Sequence, residues 1–268
     1  MIINRRTETA MTLLTSRAAL TAACLLSLAL GAPAPAQAAP VRNVVLVHGA
    51  FVTGAGWQPV YGILTRDGYH VTIAQHPLTS LSDDLAAVNR VLAMQDGPVI
   101  LVGHSYGGFL ITQAGNDSHV VALVYIAAHA LDEGETEAAN GKRFPNATKA
   151  VRKTNDGFLY LDPAFYHADF AADLPEQQAE FEAHSQALTV ATVFTTPATQ
   201  PAWKAKPSWY AVAKSDRIIN PDLERMYATR AHSHTIEIEG ASHSVYESHA
   251  KEVAALIEDA ARHALDGK

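Results

Sequence analysis

From Val41 onward, short runs of β-branched residues alternate with longer stretches whose apolar residues recur at helical spacing. Arg42–Val47 reads as a strand ending at His48-Gly49, and Trp57–Asp67 as a helix ending at Gly68. His70–Ala74 is a second strand. Ser82 is placed to cap a helix over Asp83–Gln95, with Leu85, Val88 and Leu92 on one face and acids in the first turn. Pro98–Val102 is a buried strand, Phe109–Asn116 a helix and Val120–Ala127 a fourth strand. There the alternation stops. Leu131–Ala202 is polar, aromatic and irregular, with one amphipathic helix over Glu176–Leu188. The pattern resumes with a strand at Ser208–Ala213, a helix at Pro221–Ala231, a strand at Thr235–Ile238 and a last helix at His249–Ala264.

Strands separated by single helices require right-handed crossovers and hence parallel pairing. The fold class expected is α/β: a mostly parallel six-stranded sheet flanked by helices, with a cap inserted after the fourth strand. The interruption, roughly 70 residues, is too long for a plain loop. It is expected to cover the carboxyl ends of the strands, where such sheets bind ligands.

The third strand runs into Gly103-His104-Ser105-Tyr106-Gly107-Gly108 and then a helix. Strand, Gly-x-Ser-x-Gly, helix is the setting of a nucleophile elbow, which holds a serine clear of the backbone on a sharp turn. A serine hydroxyl needs a base, and the base needs an orienting acid. Asp216 follows the strand Ser208–Ala213, and His243 follows the strand Thr235–Ile238. Both therefore lie at the same sheet edge as Ser105, in the chain order Ser, Asp, His. Asp132 and Asp222 are the rival acids. His104 reads as packing beneath the elbow; His129, His232, His234 and His249 read as structural or solvent-facing. For an oxyanion, the backbone N–H of Tyr106 is one expected donor. The other comes from the loop His48-Gly49-Ala50-Phe51, with Ala50 preferred and Phe51 as the alternative. Tyr106 also stands where its side chain would touch substrate.

The N-terminal segment departs from this pattern. Arg5, Arg6 and Arg17 precede apolar Ala18–Leu30, and a Pro/Ala-rich stretch ends in Ala36-Gln37-Ala38. Basic, apolar, then small-x-small reads as a secretory signal peptide over residues 1–38. The apolar run falls short of the ~20 residues a membrane span needs. The expectation is a single domain over residues 39–268, with the cap at about 131–202, exported to the periplasm or outside the cell, with no stable membrane insertion. Arg5-Arg6 hints at twin-arginine export, and Met11 offers a second start. Cys24 is the only cysteine of the 268 residues and lies in that leader. Cleavage would leave neither disulfide nor thiol chemistry. The net charge of −7 becomes more acidic still without the leader, because three arginines and one glutamate leave with it. A mildly acidic surface without charge blocks argues against nucleic acid as a partner. No metal-binding pattern is present, no cofactor is called for, and the expected partner is a small-molecule substrate; oligomeric state stays open.

These residues resemble the α/β-hydrolase superfamily over about Val41 to Ala264. The matching motifs are Leu46-Val47-His48-Gly49-Ala50, the Ser105 elbow, Asp216 and Ser242-His243. The His-Gly-Ala loop looks most like the small-capped branch of methyl-ester esterases and hydroxynitrile lyases. The resemblance implies an oxyanion hole at Ala50 and Tyr106. Lyases of that branch carry threonine at the loop glycine and a lysine near the histidine; here Gly49 and Ser244 stand there. Dehalogenases and epoxide hydrolases carry aspartate at the elbow, and Ser105 argues against both. The resemblance implies hydrolysis of carboxylic esters through an acyl-enzyme. Lactone or amide hydrolysis, C–C cleavage, perhydrolysis and non-catalytic binding are the alternatives.

Within the cap, Phe144, Phe158, Tyr160, Phe165, Tyr166, Phe170, Phe181 and Phe194 favour an apolar or aromatic substrate in a compact pocket. Lys142, Arg143, Lys149, Arg152 and Lys153 form a basic cluster that reads first as a solvated face.

Overall fold

The computed structural model describes residues 40–266. The expected signal peptide lies outside the described residues. The chain begins with β1 (Asn43–Val47), α1 (Gln58–Arg66), β2 (His70–Ala74), α2 (Leu81–Leu92), β3 (Val99–Ser105), α3 (Tyr106–Ala114) and β4 (Val120–Ala128). An insertion follows: α4 (Glu137–Arg143), β5 (Val151–Lys153), β6 (Phe158–Leu161), α5 (Pro163–Phe170), α6 (Glu176–His184) and β7 (Thr189–Val190). The α/β pattern then closes with β8 (Ser208–Ala213), α7 (Pro221–Arg230), β9 (His234–Ile238), α8 (Val245–Ser248) and α9 (Ala250–His263).

Six strands form one sheet in the order β2-β1-β3-β4-β8-β9, and every pairing is parallel. Composition explains the order. β1, β3, β4 and β8 are apolar on both faces and sit in the middle, where helices cover both sides. β2 and β9 interleave polar residues and occupy the edges. Strand alternation divides the core in two. Val45 and Val47 of β1 face the cluster built on α2, α3 and α7, while Val44 and Leu46 face the one built on α1 and α9. The chain winds outward from β1 in one direction to β2, then in the other through β3. The carboxyl ends of β1 and β3 thus flank the switch point where doubly wound sheets open a crevice.

Two local expectations need correction. Ser80, not Ser82, caps α2: its Oγ accepts the N–H of Asp83 at 3.0 Å. The insertion is more regular than its sequence suggests. β5, β6 and β7 form a small antiparallel sheet, and α4, α5 and α6 surround it. The expected helix stops at His184 because Ser185–Leu188 leads into β7. Three strands of two to four residues present too little alternation to be recognised. Phe51 and Ala187 join in an isolated antiparallel bridge, so the insertion is stitched to the loop after β1.

Candidate active site

Ser105 ends β3 and begins the turn into α3 with φ 53° and ψ −122°. A non-glycine residue at positive φ costs about 1–3 kcal/mol and persists only where its surroundings enforce it. Here the enforcement is close packing of backbone. A Cβ at Gly103 would lie 2.5 Å from the Gly107 carbonyl oxygen, and one at Gly107 would lie 2.6 Å from those of Val47 and His48. Only glycine at both positions lets β1, β3 and α3 meet this tightly.

The structure brings all three of Ser105, Asp216 and His243 together. His243 Nε2 lies 2.8 Å from Ser105 Oγ, and its Nδ1 lies 2.5 Å from Asp216 Oδ2. With Nδ1–H donating to the carboxylate, Nε2 is left to accept the serine proton. The other carboxylate oxygen, Asp216 Oδ1, accepts the N–H groups of Ile218 (2.7 Å) and Ile219 (2.9 Å). That pair of hydrogen bonds from the backbone aims Oδ2 at the imidazole. The rival acids are engaged elsewhere: Asp132 with Lys204, and Asp222 with Arg225.

The loop carrying His243 is clamped from several sides. His104 Nε2–H donates to the His243 carbonyl at 2.9 Å, and its ring lies 4.7 Å from the imidazole of His243. Burial, then the neighbouring His243, hold His104 well below the ordinary histidine range, so it serves as a neutral donor. Its expected packing role is therefore joined by a hydrogen bond. From the insertion, the Phe170 ring meets His243 edge-on at 4.8 Å, and its carbonyl accepts the Ser244 N–H at 3.0 Å. Asp173 accepts the Ser242 N–H at 3.0 Å and the Ser248 hydroxyl at 2.7 Å.

Of the two loop candidates for oxyanion stabilisation, Phe51 has its N–H committed to Thr189 Oγ1 at 3.1 Å. Ala50 precedes it and lines the same cavity as Ser105. Tyr106 opens α3, where the first N–H groups have no partner within the helix. Its side chain does not reach substrate space, contrary to the sequence expectation. The ring is fully buried and the hydroxyl donates to Asp84 Oδ2 at 2.9 Å. Asp84 Oδ1 also accepts the Leu78 N–H at 2.7 Å and faces His76, which stacks on His48 with centroids 3.7 Å apart. Burial, then His76, lower His48 to about 3. This stack braces the strand end that carries Ala50.

The cavity above Ser105 holds about 310 Å³. Phe51, Phe144, Leu159, Phe194, Ile218 and Leu223 supply most of its apolar wall. Other cap aromatics play packing roles. Tyr166 and Phe170 are fully buried, whereas Phe165 and Phe181 face solvent. Of the basic cluster, Lys142 alone borders the cavity.

Three acid or histidine positions show more than the sequence reading gave. His129, read as structural or solvent-facing, is buried and partnered, in keeping with the structural reading, and it also borders the cavity, with its Nε2 3.3 Å from Glu137 Oε2. Burial, then His243, lower His129 to about 3. Burial raises Glu137 well above the usual carboxyl range. Glu224, fully buried behind Asp216, is raised by burial first and by the Asp216 charge second; its Oε2 accepts the Ala213 N–H at 3.0 Å. The one available signal was an acid on an otherwise apolar helix face, as Glu224 is between Leu223 and Tyr227. Among the described residues, no helix is long and apolar enough to cross a membrane, and no His/Cys/Asp/Glu group is arranged to hold a metal ion.

Comparison with known proteins agrees with the fold. The alpha/beta hydrolase nvfD of Aspergillus novofumigatus is 26% identical over 199 residues, covering 65% of this chain and 77% of that protein. The pyrethroid hydrolase from Sphingobium faniae JZ-2 matches with a TM-score of 0.72 at 23% identity, over 82% of this chain and 97% of that one. The methylesterase MES16 from Arabidopsis matches with a TM-score of 0.69 at 18% identity, over 82% and 98%. A family model described as alpha/beta hydrolase spans residues 44–256, most of the sheet and the whole insertion, and the chain belongs to the alpha/beta hydrolase family.

Proposed function

We propose that this protein is an exported serine hydrolase that cleaves carboxylic esters of small, apolar or aromatic substrates through an acyl-enzyme. The observation that carries the proposal is the single imidazole of His243 in hydrogen-bond reach of both Ser105 Oγ and Asp216 Oδ2. Ser105 Oγ attacks the ester carbonyl carbon while His243 Nε2 takes the hydroxyl proton. The carbonyl electron pair moves onto oxygen, and the N–H groups of Ala50 and Tyr106 receive that charge. Collapse breaks the ester C–O bond, and His243 returns the proton to the departing alkoxide. Water then adds to the acyl-enzyme with the same histidine as base, releasing the acid and restoring Ser105. Asp216 holds the imidazole tautomer throughout.

Ester hydrolysis is supported over lyase chemistry by the loop glycine. A Cβ at Gly49 would lie 2.8 Å from Ser105 Cβ and 2.9 Å from His104 Nδ1, which leaves no room for threonine. The relatives named as a pyrethroid hydrolase and a methylesterase are in keeping with the same reading. No cofactor and no nucleic-acid partner enters the proposed reaction.

The test pairs a fluorophosphonate probe with a panel of esters, lactones and amides. Labelling of wild type but not of Ser105→Ala, with esters turned over fastest, is expected. Failure to label Ser105 would make this a binding protein, and faster turnover of lactones or amides would change the substrate class. Export is tested separately: the mature protein recovered outside the cytoplasm should begin at Ala39.

A further inference from the structure

The cavity above Ser105 contains one polar feature that the proposed reaction does not use. His129 lies just beyond the end of β4, and its backbone N–H donates to the Ser105 carbonyl at 3.1 Å. Its imidazole reaches Glu137, the first residue of α4, at 3.3 Å. Behind them, Tyr227 Oη lies 3.4 Å from His129 Nδ1 and accepts from Asn140 Nδ2 at 3.0 Å. Asn140 also donates to Glu135, which Arg230 holds with two hydrogen bonds. His129, Tyr227, Asn140 and Glu135 each have a side-chain partner within the train. Glu137 Oε1 is buried with no hydrogen-bond partner, on a side chain only 4% exposed, and Glu137 borders the cavity.

A bond that merely ties β4 to α4 would account for Oε2 and leave Oε1 unexplained. Buried polar atoms are rarely left unpartnered, and Glu137 is a lining residue of the cavity in which a substrate would supply the missing partner. We propose that Glu137, held by His129, is a polar anchor that hydrogen-bonds an uncharged oxygen function, a hydroxyl or a carbonyl, on the substrate away from its scissile ester. The inference rests on the ester-hydrolase reading and narrows its substrate to esters that are apolar along most of their length and oxygenated at one further position.

The charge of the partner follows from what surrounds it. Burial lowers His129 to about 3 and raises Glu137 well above the usual carboxyl range, so both shifts favour an uncharged pair, whose free oxygen offers a hydrogen-bond donor or acceptor. A hydroxyl or carbonyl matches that pair without bringing a charge into a mostly apolar wall. A carboxylate would stand against Glu137, and an ammonium would share the cavity with Lys142.

Matched ester series test this. One carries hydroxy or oxo groups on the acyl chain, one on the alcohol, each beside its unsubstituted counterpart and its ammonium and carboxylate analogues. Wild type should favour the hydroxy or oxo ester by at least about 10-fold in kcat/KM at one chain position. Glu137→Leu should erase that preference and Glu137→Gln should retain most of it, each read as the ratio of kcat/KM for the oxygenated ester to that for its unsubstituted counterpart in the same variant. Equal preference in Glu137→Leu and wild type, or a stronger wild-type preference for a charged analogue, overturns the anchor. Calorimetric affinities of the corresponding non-hydrolysable ketones for Ser105→Ala read the anchor without turnover. An absence of esterase activity would thus sink the reaction assignment while leaving the anchor measurable.

Discussion

Two buried histidine–acid pairs stand near Ser105, and their surroundings differ sharply. His243 and Asp216 belong to the sheet edge, and both oxygens of the Asp216 carboxylate are engaged, one on the imidazole and one on two backbone N–H groups. His129 and Glu137 bridge the end of β4 to the insertion, and one oxygen of the acid has no partner. Full engagement aims a carboxylate, as a base-orienting acid requires. Burial raises the other acid well above the usual carboxyl range and leaves one of its oxygens without a partner. In the proposed reading the same residue types therefore serve chemistry at one place and recognition at the other, according to how many partners the fold supplies.

The sharpest way to break this comparison is to remove the charge of the fully engaged acid. Asp216→Asn should lower kcat/KM for a simple ester by about 10⁴-fold. Asp132→Asn, whose partner is Lys204, should leave it near the wild-type value. A steady-state assay giving the opposite pattern would reassign the acid.

The cavity wall gives a smaller expected effect. Phe194→Ala should reduce kcat/KM for apolar esters by about 10-fold. The exposed Phe181→Ser should change neither activity nor thermal midpoint beyond error.

Next comes the bracing beneath the site. Tyr106→Phe removes the donor to Asp84 and should cost about 1–3 kcal/mol in denaturant unfolding. KM should not move, because the ring lies outside the cavity. A raised KM would return Tyr106 to the substrate side.

The smallest effect concerns the seam between α6 and α8. Burial first, and Glu182 second, push Glu247 up to about 8. The folded protein therefore keeps a proton on Glu247 that the unfolded chain releases within the ordinary carboxylate range. Stability from this group is present at acid pH and is lost as pH rises through about 8. Glu247→Gln should accordingly raise the thermal midpoint at pH 9 and not at pH 4. An equal shift at both would mean that Glu247 does not carry a proton in the fold.

How much was legible follows from how local each signal is. The elbow was readable because a strand, two glycines around Ser105 and a helix lie within a dozen or so residues, and its steric demand is met by backbone alone. Asp216 and His243 were readable because strand ends in a parallel sheet share one edge, so chain order stands in for distance. The insertion was not, since β5, β6 and β7 are brief, and β7 lies about 30 residues beyond β6, its pairing partner. Tyr106 was misdirected because the rotation of a helix about its axis, not its sequence, sends that ring toward α2 and Asp84.

By itself, then, the sequence determined the layered α/β architecture and which serine, acid and histidine would meet at one sheet edge, because periodicity and turn chemistry act over short stretches of chain. Only the tertiary structure decided that Glu137 faces a cavity with one oxygen unpartnered and that His129 stands beside it. It likewise decided that Phe51 has surrendered its N–H to Thr189, 138 residues away. Those outcomes depend on how the insertion packs over the strand ends, and burial and partner count are properties of packing that no local pattern encodes.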